Sequence, residues 1–221
     1  MFSRQYHASS FDLPKLPVIT NDKPKQIQLF TWGLVPFWVK DGKAAEEVRL
    51  KTMNARAESI YEKPSFRHAA EHQHCLILTD GFFEWQEYQG KNYPYYIRLK
   101  SHEPFAMAGL WDAWKNPQTA EEIHTYTVIT TKANPLMEQI HNKKKRMPVI
   151  LPKQQEREWI DPSVKKSQSE TLLVPYEEKL MEAFTISRLI TSKHQHPNVP
   201  EVVRPFSYPE LSKKTEQKNL F

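Results

Sequence analysis

The stretch that decides the fold is Leu-Ile-Leu-Thr-Asp-Gly-Phe-Phe-Glu-Trp at residues 76–85. Its first half is apolar and branched, which favours a buried strand, and its second half is aromatic. We predict one strand over residues 75–85 that reaches a carboxylate, Glu84, placed between aromatic rings. A carboxyl group in such surroundings has a raised pKa, the usual property of a general acid or base. Glu84 is therefore a candidate catalytic residue, and the alternative is an edge glutamate that points to water.

Further strand-like segments lie on both sides of this stretch, and a turn follows it directly. Residues 88–92, Tyr-Gln-Gly-Lys-Asn, predict a hairpin that joins residues 82–85 to residues 95–97. Seventeen prolines against five glycines favour short strands with stiff connections. Strands separated by short helices indicate an α+β fold rather than a doubly wound sheet. Strands are also predicted at residues 26–32, 93–99, 105–111, 125–131 and 147–151, and helices at residues 65–71, 134–140 and 154–160.

Length and composition predict a single soluble domain over residues 1–221. Six Trp, eleven Phe and nine Tyr supply enough bulky side chains for one large core. The polar stretch 161–170 is predicted to be an exposed loop and the tail after residue 209 a frayed terminus, so neither marks a domain boundary. No segment has the composition of a signal peptide or a spanning helix, which predicts a cytoplasmic protein that does not associate with a membrane.

Charge and cysteine content limit the classes of function. The net charge of +5 is consistent with a phosphate-bearing partner such as nucleic acid, and equally with general solubility. The single cysteine, Cys75, excludes an intramolecular disulfide and a Cys-rich zinc site, and its apolar strand predicts a buried, inert thiol. His194 and His196 lack a third ligand, and no phosphate-binding glycine loop occurs. The sequence therefore predicts neither a metal nor a cofactor.

Two other segments combine polar groups with aromatic or apolar neighbours. Residues 32–38, Trp-Gly-Leu-Val-Pro-Phe-Trp, form a loop whose indoles suit base stacking, and the alternative is that both tryptophans are core. In residues 53–58, Met-Asn-Ala-Arg-Ala-Glu, Asn54 and Arg56 point to the same side if the backbone is extended. They could then hold a sugar hydroxyl and a phosphate, whereas the alternatives are a capping asparagine and a structural ion pair.

Residues 140–148, Ile-His-Asn-Lys-Lys-Lys-Arg-Met-Pro, place His141 ahead of four cations and an apolar strand. This arrangement could pair a proton-transfer group with a phosphate-facing patch, and the alternative is a solvated basic loop. His141 follows an apolar helix, whereas His72 and His74 lie in a polar stretch and are predicted at the surface. His141 is therefore the candidate among the histidines.

In this order, the segments resemble the motifs of the SRAP family, the SOS-response-associated peptidases, over most of the chain. Residues 32–38 resemble W-G-L-[IV]-P-x-W, residues 54–58 N-A-R-A-E, and residues 80–85 D-G-[FY]-[FY]-E-W. His141 with residues 146–148 resembles I-H-x-R-M-P. Two further segments agree with F-A-x-A-G-L-[WY] and T-T-x-A-N, at residues 105–111 and 130–134.

The resemblance implies a pseudo-barrel of mixed, mostly antiparallel strands with short peripheral helices, acting as a monomer on single-stranded DNA that contains abasic sites. In the family, an amino-terminal cysteine exposed by self-removal of the initiator methionine bonds covalently to the ring-opened sugar. By resemblance Glu84 would move protons, His141 would assist sugar opening and Asn54 would hold the reacting end. The implied DNA-binding residues are Trp32, Pro36, Trp38, Arg56, Thr130 and Arg146.

The chain departs from this family at its amino terminus. Members begin Met-Cys-Gly-Arg or close to it, whereas this chain begins Met-Phe-Ser-Arg, and Phe2 has no nucleophile. One interpretation is that a cysteine-bearing first strand and a helix are missing here, because residues 6–8 resemble an internal element of the family. The other is a natural variant that keeps the DNA groove and lacks covalent capture.

Three functions follow from these patterns. The leading hypothesis is an abasic-site sensor with peptidase-like and lyase-like chemistry. The second is a non-covalent module that binds single strands or junctions, in which Glu84 and His141 are structural. The third is a peptidase that acts on other proteins, which ranks last because the only bond that this site would cut is its own Met-Cys bond.

Overall fold

Strands dominate the computed structural model, which describes residues 5–192 and 194–211. Short helices lie in the connections between them. The strands are β1 (Lys15–Thr20), β2 (Gln28–Trp32), β3 (Asn54–Arg56), β4 (His74–Thr79), β5 (Phe82–Tyr88), β6 (Lys91–Leu99), β7 (Phe105–Lys115), β8 (Glu122–Lys132), β9 (Arg146–Pro148), β10 (Ile150–Leu151) and β11 (Met181–Thr185). The α-helices are α1 (Gly42–Arg49), α2 (Arg67–His72), α3 (Pro135–Ile140), α4 (Glu156–Trp159) and α5 (Lys166–Leu172).

Five of these strands close into a barrel. β1 pairs antiparallel with β2 and β4, β4 with β7, and β7 with β8. A parallel pairing of β2 with β8 completes the ring. β8 extends beyond β2 and β7, the two strands that flank it in the barrel. Its carboxyl-terminal end therefore also pairs with β3 and β9. The structure thus confirms the α+β class and the mixed, mostly antiparallel sheet curled into a barrel.

A second sheet, in the order β11-β6-β5, contains the predicted hairpin. Phe82 pairs with Ile97 and Tyr88 with Lys91, which leaves a two-residue turn. Gln89 and Gly90 both have positive φ, the backbone of a type I′ turn that matches the twist of the flanking strands. The hairpin prediction is therefore confirmed.

The prediction of one strand over residues 75–85 is wrong. The run breaks at Asp80-Gly81, so β4 belongs to the barrel and β5 to the second sheet. The chain turns at Gly81, where the backbone lies close to the ring of Tyr96. Any Cβ at this position would lie 2.3 Å from that ring. Only glycine lets the backbone pass under that ring and carry Glu84 out of the barrel wall.

Other boundaries also differ from the predictions. The predicted strand 147–151 is divided between β9 and β10. Between them, Val149 forms backbone hydrogen bonds with Ala108 of β7 and Ile129 of β8, so the chain passes from one strand to the other at this residue. The predicted loop 161–170 is wrong, since it contains most of α5, whose Leu172 is anchored in the core. The patterns predict neither β1 nor α1. The expected frayed tail lies outside the described residues from residue 212 onward.

The surface prediction for His74 is wrong, whereas the burial predicted for Cys75 is confirmed. His74 is buried against Trp159, with ring centroids 4.1 Å apart, and its two nitrogens lie 2.8 Å from carbonyl oxygens of Ala70 and Trp159. The pairing with these carbonyls allows a polar ring to occupy the core. Burial also raises the pKa of the Cys75 thiol, which keeps it protonated. None of the described helices is long and apolar enough to cross a bilayer.

Candidate functional site

Glu84 and His141 form a partly buried carboxylate–imidazole pair. Glu84 lies on β5 and His141 directly after α3, and Nδ1 of His141 is 3.5 Å from Oε1 of Glu84. The same Nδ1 lies 2.9 Å from the carbonyl oxygen of Arg146, which can only accept a hydrogen bond. The neutral ring therefore carries its hydrogen on Nδ1 and keeps Nε2 as a proton acceptor. The structure brings together two residues that are 57 positions apart in the sequence.

The placement of His141 follows from how α3 begins and how the loop after it is held. Asn134 caps the helix by accepting a hydrogen bond from the Met137 amide at 2.9 Å. Beyond the helix, Asn142 accepts from the backbone N–H of Glu87 at 3.1 Å and donates to its carbonyl at 2.8 Å. This two-point bond fixes the loop to β5, three residues from Glu84. Asn142 is thus a positioning residue that the sequence patterns did not single out.

Burial raises the pKa of Glu84 above the ordinary glutamate value, against the opposing attraction of His141 and Lys144. The raised pKa predicted for this residue is therefore supported by its surroundings. A carboxyl group that holds its proton more tightly when folded stabilises the folded state at low pH. That contribution is lost as the pH rises through the raised pKa. Ionised Glu84 is therefore a stability cost at neutral pH, as is common for catalytic groups.

We expect Glu84→Gln to be more stable than the wild-type protein at pH 8 and equally stable near pH 4. Glutamine is neutral throughout, so it avoids the cost of ionising a buried carboxyl group. An increase in Tm of about 2–4 °C at pH 8 corresponds to a change on the order of 1 kcal/mol in a chain of this size. Thermal unfolding at the two pH values measures it. A difference that is larger at pH 4 would contradict the buried-carboxyl explanation.

Asn54 and Arg56 project from the same face of β3, as the sequence predicts for an extended segment. Both side chains are exposed, and Ala55 between them is buried. β3 pairs parallel with β8, so Arg56 lies beside Thr130. The Thr130 hydroxyl donates to the Ala55 carbonyl at 3.2 Å. The segment is therefore a fixed edge of the sheet that presents an amide and a guanidinium to solvent.

Arg146 connects β3 to the Glu84–His141 pair. Its guanidinium donates to both carboxylate oxygens of Glu58, at 2.6 and 2.9 Å, and to the Thr130 carbonyl at 2.5 Å. The hydrogen bonds from Arg146 lower the pKa of Glu58. The ion pair suggested as an alternative for Arg56 is thus made by Arg146, which is already committed to a protein carboxylate. A continuous path of contacts runs from Glu84 through His141, Arg146 and Thr130 to β3.

The two tryptophans of this segment lie in different surroundings, because Trp32 ends β2 and Trp38 lies in the loop over residues 33–39. Trp32 is partly buried and donates from Nε1 to the Met53 carbonyl at 2.8 Å. Pro36 is buried, while Phe37 and Trp38 are 52% and 48% exposed. Trp38 is therefore the indole that the loop presents, whereas Trp32 stacks on Tyr126 with ring centroids 6.1 Å apart.

A buried carboxylate that the sequence analysis missed holds the tip of this loop. Asp112 accepts a hydrogen bond from the Phe37 amide at 3.0 Å and from the Ala113 amide at 2.9 Å. Burial raises the pKa of Asp112, and these two amides act in the opposite direction. Its position at the end of the apolar run 105–111 was the available signal, because an aspartate inside a buried strand needs partners.

The remaining sequence candidates are spread over the surface. The basic run 143–145 is exposed, and Lys143 pairs with Glu87.

Among the described residues no group of three or more His, Cys, Asp or Glu could hold a metal ion. Two surface cavities, of about 370 and 450 Å³, are lined by other parts of the chain, around Arg188 and around Tyr176. Phe2 lies outside the described residues.

Comparisons with known proteins agree with this geometry. A family model described as SOS response associated peptidase (SRAP) matches residues 5–193. The abasic site processing protein YoqW of Bacillus subtilis is 39% identical over 204 residues, covering 90% of this chain and 87% of that protein. The abasic site processing protein HMCES of Xenopus tropicalis is 33% identical over 149 residues, covering 59% of this chain and 43% of that protein.

Solved structures give the same result. A crystal structure of a protein from Bacteroides thetaiotaomicron superposes with a TM-score of 0.87 at 38% identity, over 94% of this chain and 88% of that one. A Bordetella bronchiseptica protein superposes with a TM-score of 0.71 at 29% identity, over 78% and 84% of the two chains. The motif order, the barrel and these matches lead to one assignment. The chain belongs to the SOS response associated peptidase (SRAP) family.

Proposed function

We propose that this protein binds single-stranded DNA as a monomer and processes abasic sites in it. With the family's amino-terminal cysteine in place, it would bond covalently to the opened sugar after removing its own initiator methionine. The observation that carries the proposal is the Glu84–His141 pair, joined by contacts to an edge that presents Asn54 and Arg56. Family membership and the abasic-site names of the relatives support it.

The chemistry needs a group that both takes and returns protons. A neutral α-amine attacks the sugar aldehyde to give a carbinolamine, which loses water to form an imine. The cysteine thiol then adds to the imine carbon and its proton moves to nitrogen, closing a thiazolidine ring. We assign the proton transfers to Glu84, because burial raises its pKa and so makes the carboxyl group a better proton acceptor than an exposed glutamate. As the sugar ring opens, Nε2 of His141 would take the proton of the hemiacetal hydroxyl and return it to the ring oxygen, whose bond to the aldehyde carbon breaks, and Asn54 would hold the reacting end.

The DNA strand would run along the edge formed by β3 and the 33–39 loop. Trp38 would stack on a base, and Arg56 and Thr130 would contact phosphates. Trp32, at the end of β2, and Pro36, in the loop, would shape the wall beside Trp38. Because Arg146 is paired with Glu58, we assign it to fixing Thr130, in place of the direct phosphate contact implied by the resemblance.

The test is a cross-linking assay on single-stranded DNA with one abasic site, analysed on a denaturing gel. Two forms are compared: the chain from Met1, and a form in which the amino-terminal segment of the relative YoqW precedes residue 5. We expect both to bind and only the second to give a heat-stable adduct. Binding without an adduct in either form would leave the non-covalent module, and adduct-free cleavage of an unrelated protein would favour the general peptidase.

A further inference from the structure

Arg49, the last residue of α1, packs directly on the loop that presents Trp38. Gly33 opens that loop with a φ of +100°, and a Cβ there would lie 2.3 Å from Cγ of Arg49 and 3.0 Å from its carbonyl oxygen. Only glycine lets the arginine stem lie this close to the loop backbone. The Thr52 amide donates to the Arg49 carbonyl at 3.3 Å, so the residue is also tied to the segment leading into β3.

The Arg49 side chain is half-buried, and its guanidinium takes part in no hydrogen bond or ion pair among the described residues. Its Nε is buried without a hydrogen bond, and across residues 5–192 and 194–211 no ion pair reaches the side chain. Burial lowers the pKa of Arg49, while Glu46 one turn earlier acts weakly in the other direction. The two other arginines drawn into the structure are paired, Arg98 with Glu182 at 2.6 Å and Arg146 with Glu58 at 2.6 Å.

An unpaired, partly buried cation is costly, because water is removed and no protein anion replaces it. An anion that binds the guanidinium would offset this cost. Arginine suits one class of anion well, since its planar fork matches two oxygens of a phosphate group. The stem of Arg49 lies against Gly33 at the start of the 33–39 loop, and its carbonyl is bonded to Thr52 in the segment before Asn54, so the side chain lies beside the path proposed for the strand.

We propose that Arg49 is a phosphodiester-binding residue that holds the backbone of a single DNA strand lying over the 33–39 loop. This inference rests on the proposed function and adds a phosphate contact that none of the family motifs contains. The arginine binds the phosphate next to the base stacked on Trp38 and so fixes the path of the strand at the loop.

The test compares Arg49→Met with Arg157→Met, a matched loss of charge at an exposed position on α4. Affinity for an undamaged single-stranded oligonucleotide is measured by fluorescence anisotropy at several salt concentrations, together with Tm. We expect Arg49→Met to raise Kd about tenfold. The slope of log K against log salt should also become shallower by about 0.7, which is the contribution of one phosphate contact to the binding of a single strand. Its Tm should equal or exceed that of the wild-type protein, because methionine keeps the stem and removes the unpaired charge. Arg157→Met should change Kd less than twofold.

Each alternative result is decisive. Equal Kd and salt slope for the two variants, with normal binding by the wild-type protein, would overturn the role of Arg49 and leave the proposed function standing. Weakened binding with a Tm several degrees lower would assign Arg49 a structural role and overturn the inference. Failure of the wild-type protein to bind the oligonucleotide at low salt would overturn both.

Discussion

Glu84→Gln, in the form that carries the amino-terminal segment of YoqW, is expected to lower the rate of adduct formation on abasic-site DNA by at least about 100-fold. Proton transfer by a positioned side chain contributes roughly 10²–10⁴-fold in enzymes. Glutamine preserves the shape of the side chain and cannot exchange a proton. The initial rate of appearance of the heat-stable band on a denaturing gel measures the effect.

The same substitution should separate stability from activity. Glu84→Gln is expected to unfold at a higher temperature than the wild-type protein at pH 8, so a lost adduct cannot be ascribed to misfolding. Glu103→Gln, an exposed acid just before β7, is the matched control and should retain the full rate. An unchanged rate in Glu84→Gln would remove the residue from the chemistry and leave it a structural partner of His141.

Trp38→Ala is expected to weaken binding of undamaged single-stranded DNA by about 10- to 100-fold. Stacking of a base on an aromatic side chain is worth ~1–3 kcal/mol, and Trp38 is the exposed indole of a loop whose backbone is held by Asp112. Since the side chain is 48% exposed, its removal should cost little folding stability. Fluorescence anisotropy with a labelled oligonucleotide gives the affinity.

Two further variants identify the cause of that loss. Trp38→Phe should recover most of the affinity, because a ring remains available for stacking. Leu180→Ala removes a similarly exposed apolar side chain elsewhere and should bind like the wild-type protein. The salt dependence should not change in Trp38→Ala, because no phosphate contact is lost. Wild-type affinity in Trp38→Ala would place the strand away from the 33–39 loop.

Local patterns determined much of the fold. The aromatic hairpin around Gly90, the helix capped by Asn134 and the strands β6, β7 and β8 follow from turn chemistry, capping and branched or aromatic composition, which act over a few residues. The interpretation of Glu84 as a carboxyl group in apolar surroundings came from its immediate neighbours. The motif order then carried the family assignment, since it depends only on sequence.

What neighbours along the chain could not determine was where the long segments turn and which side chains meet. The break at Gly81 depends on the ring of Tyr96, which comes from the other strand of the hairpin, and the burial of His74 depends on Trp159. Likewise, the sequence suggested an ion pair for Arg56, and the fold gave the carboxylate of Glu58 to Arg146. These outcomes depend on contacts between residues far apart in sequence.

The sequence by itself therefore determined the class of fold, the family and the chemical types present at the site. Only the tertiary structure decided that His141 lies beside Glu84 and that Trp38 and not Trp32 is presented. It also decided that Arg49 forms no ion pair within the part of the chain that the structure describes. The physical reason is that burial and pairing are properties of the space around a side chain. That space is formed when segments distant in the chain pack together, as α3 does against β5.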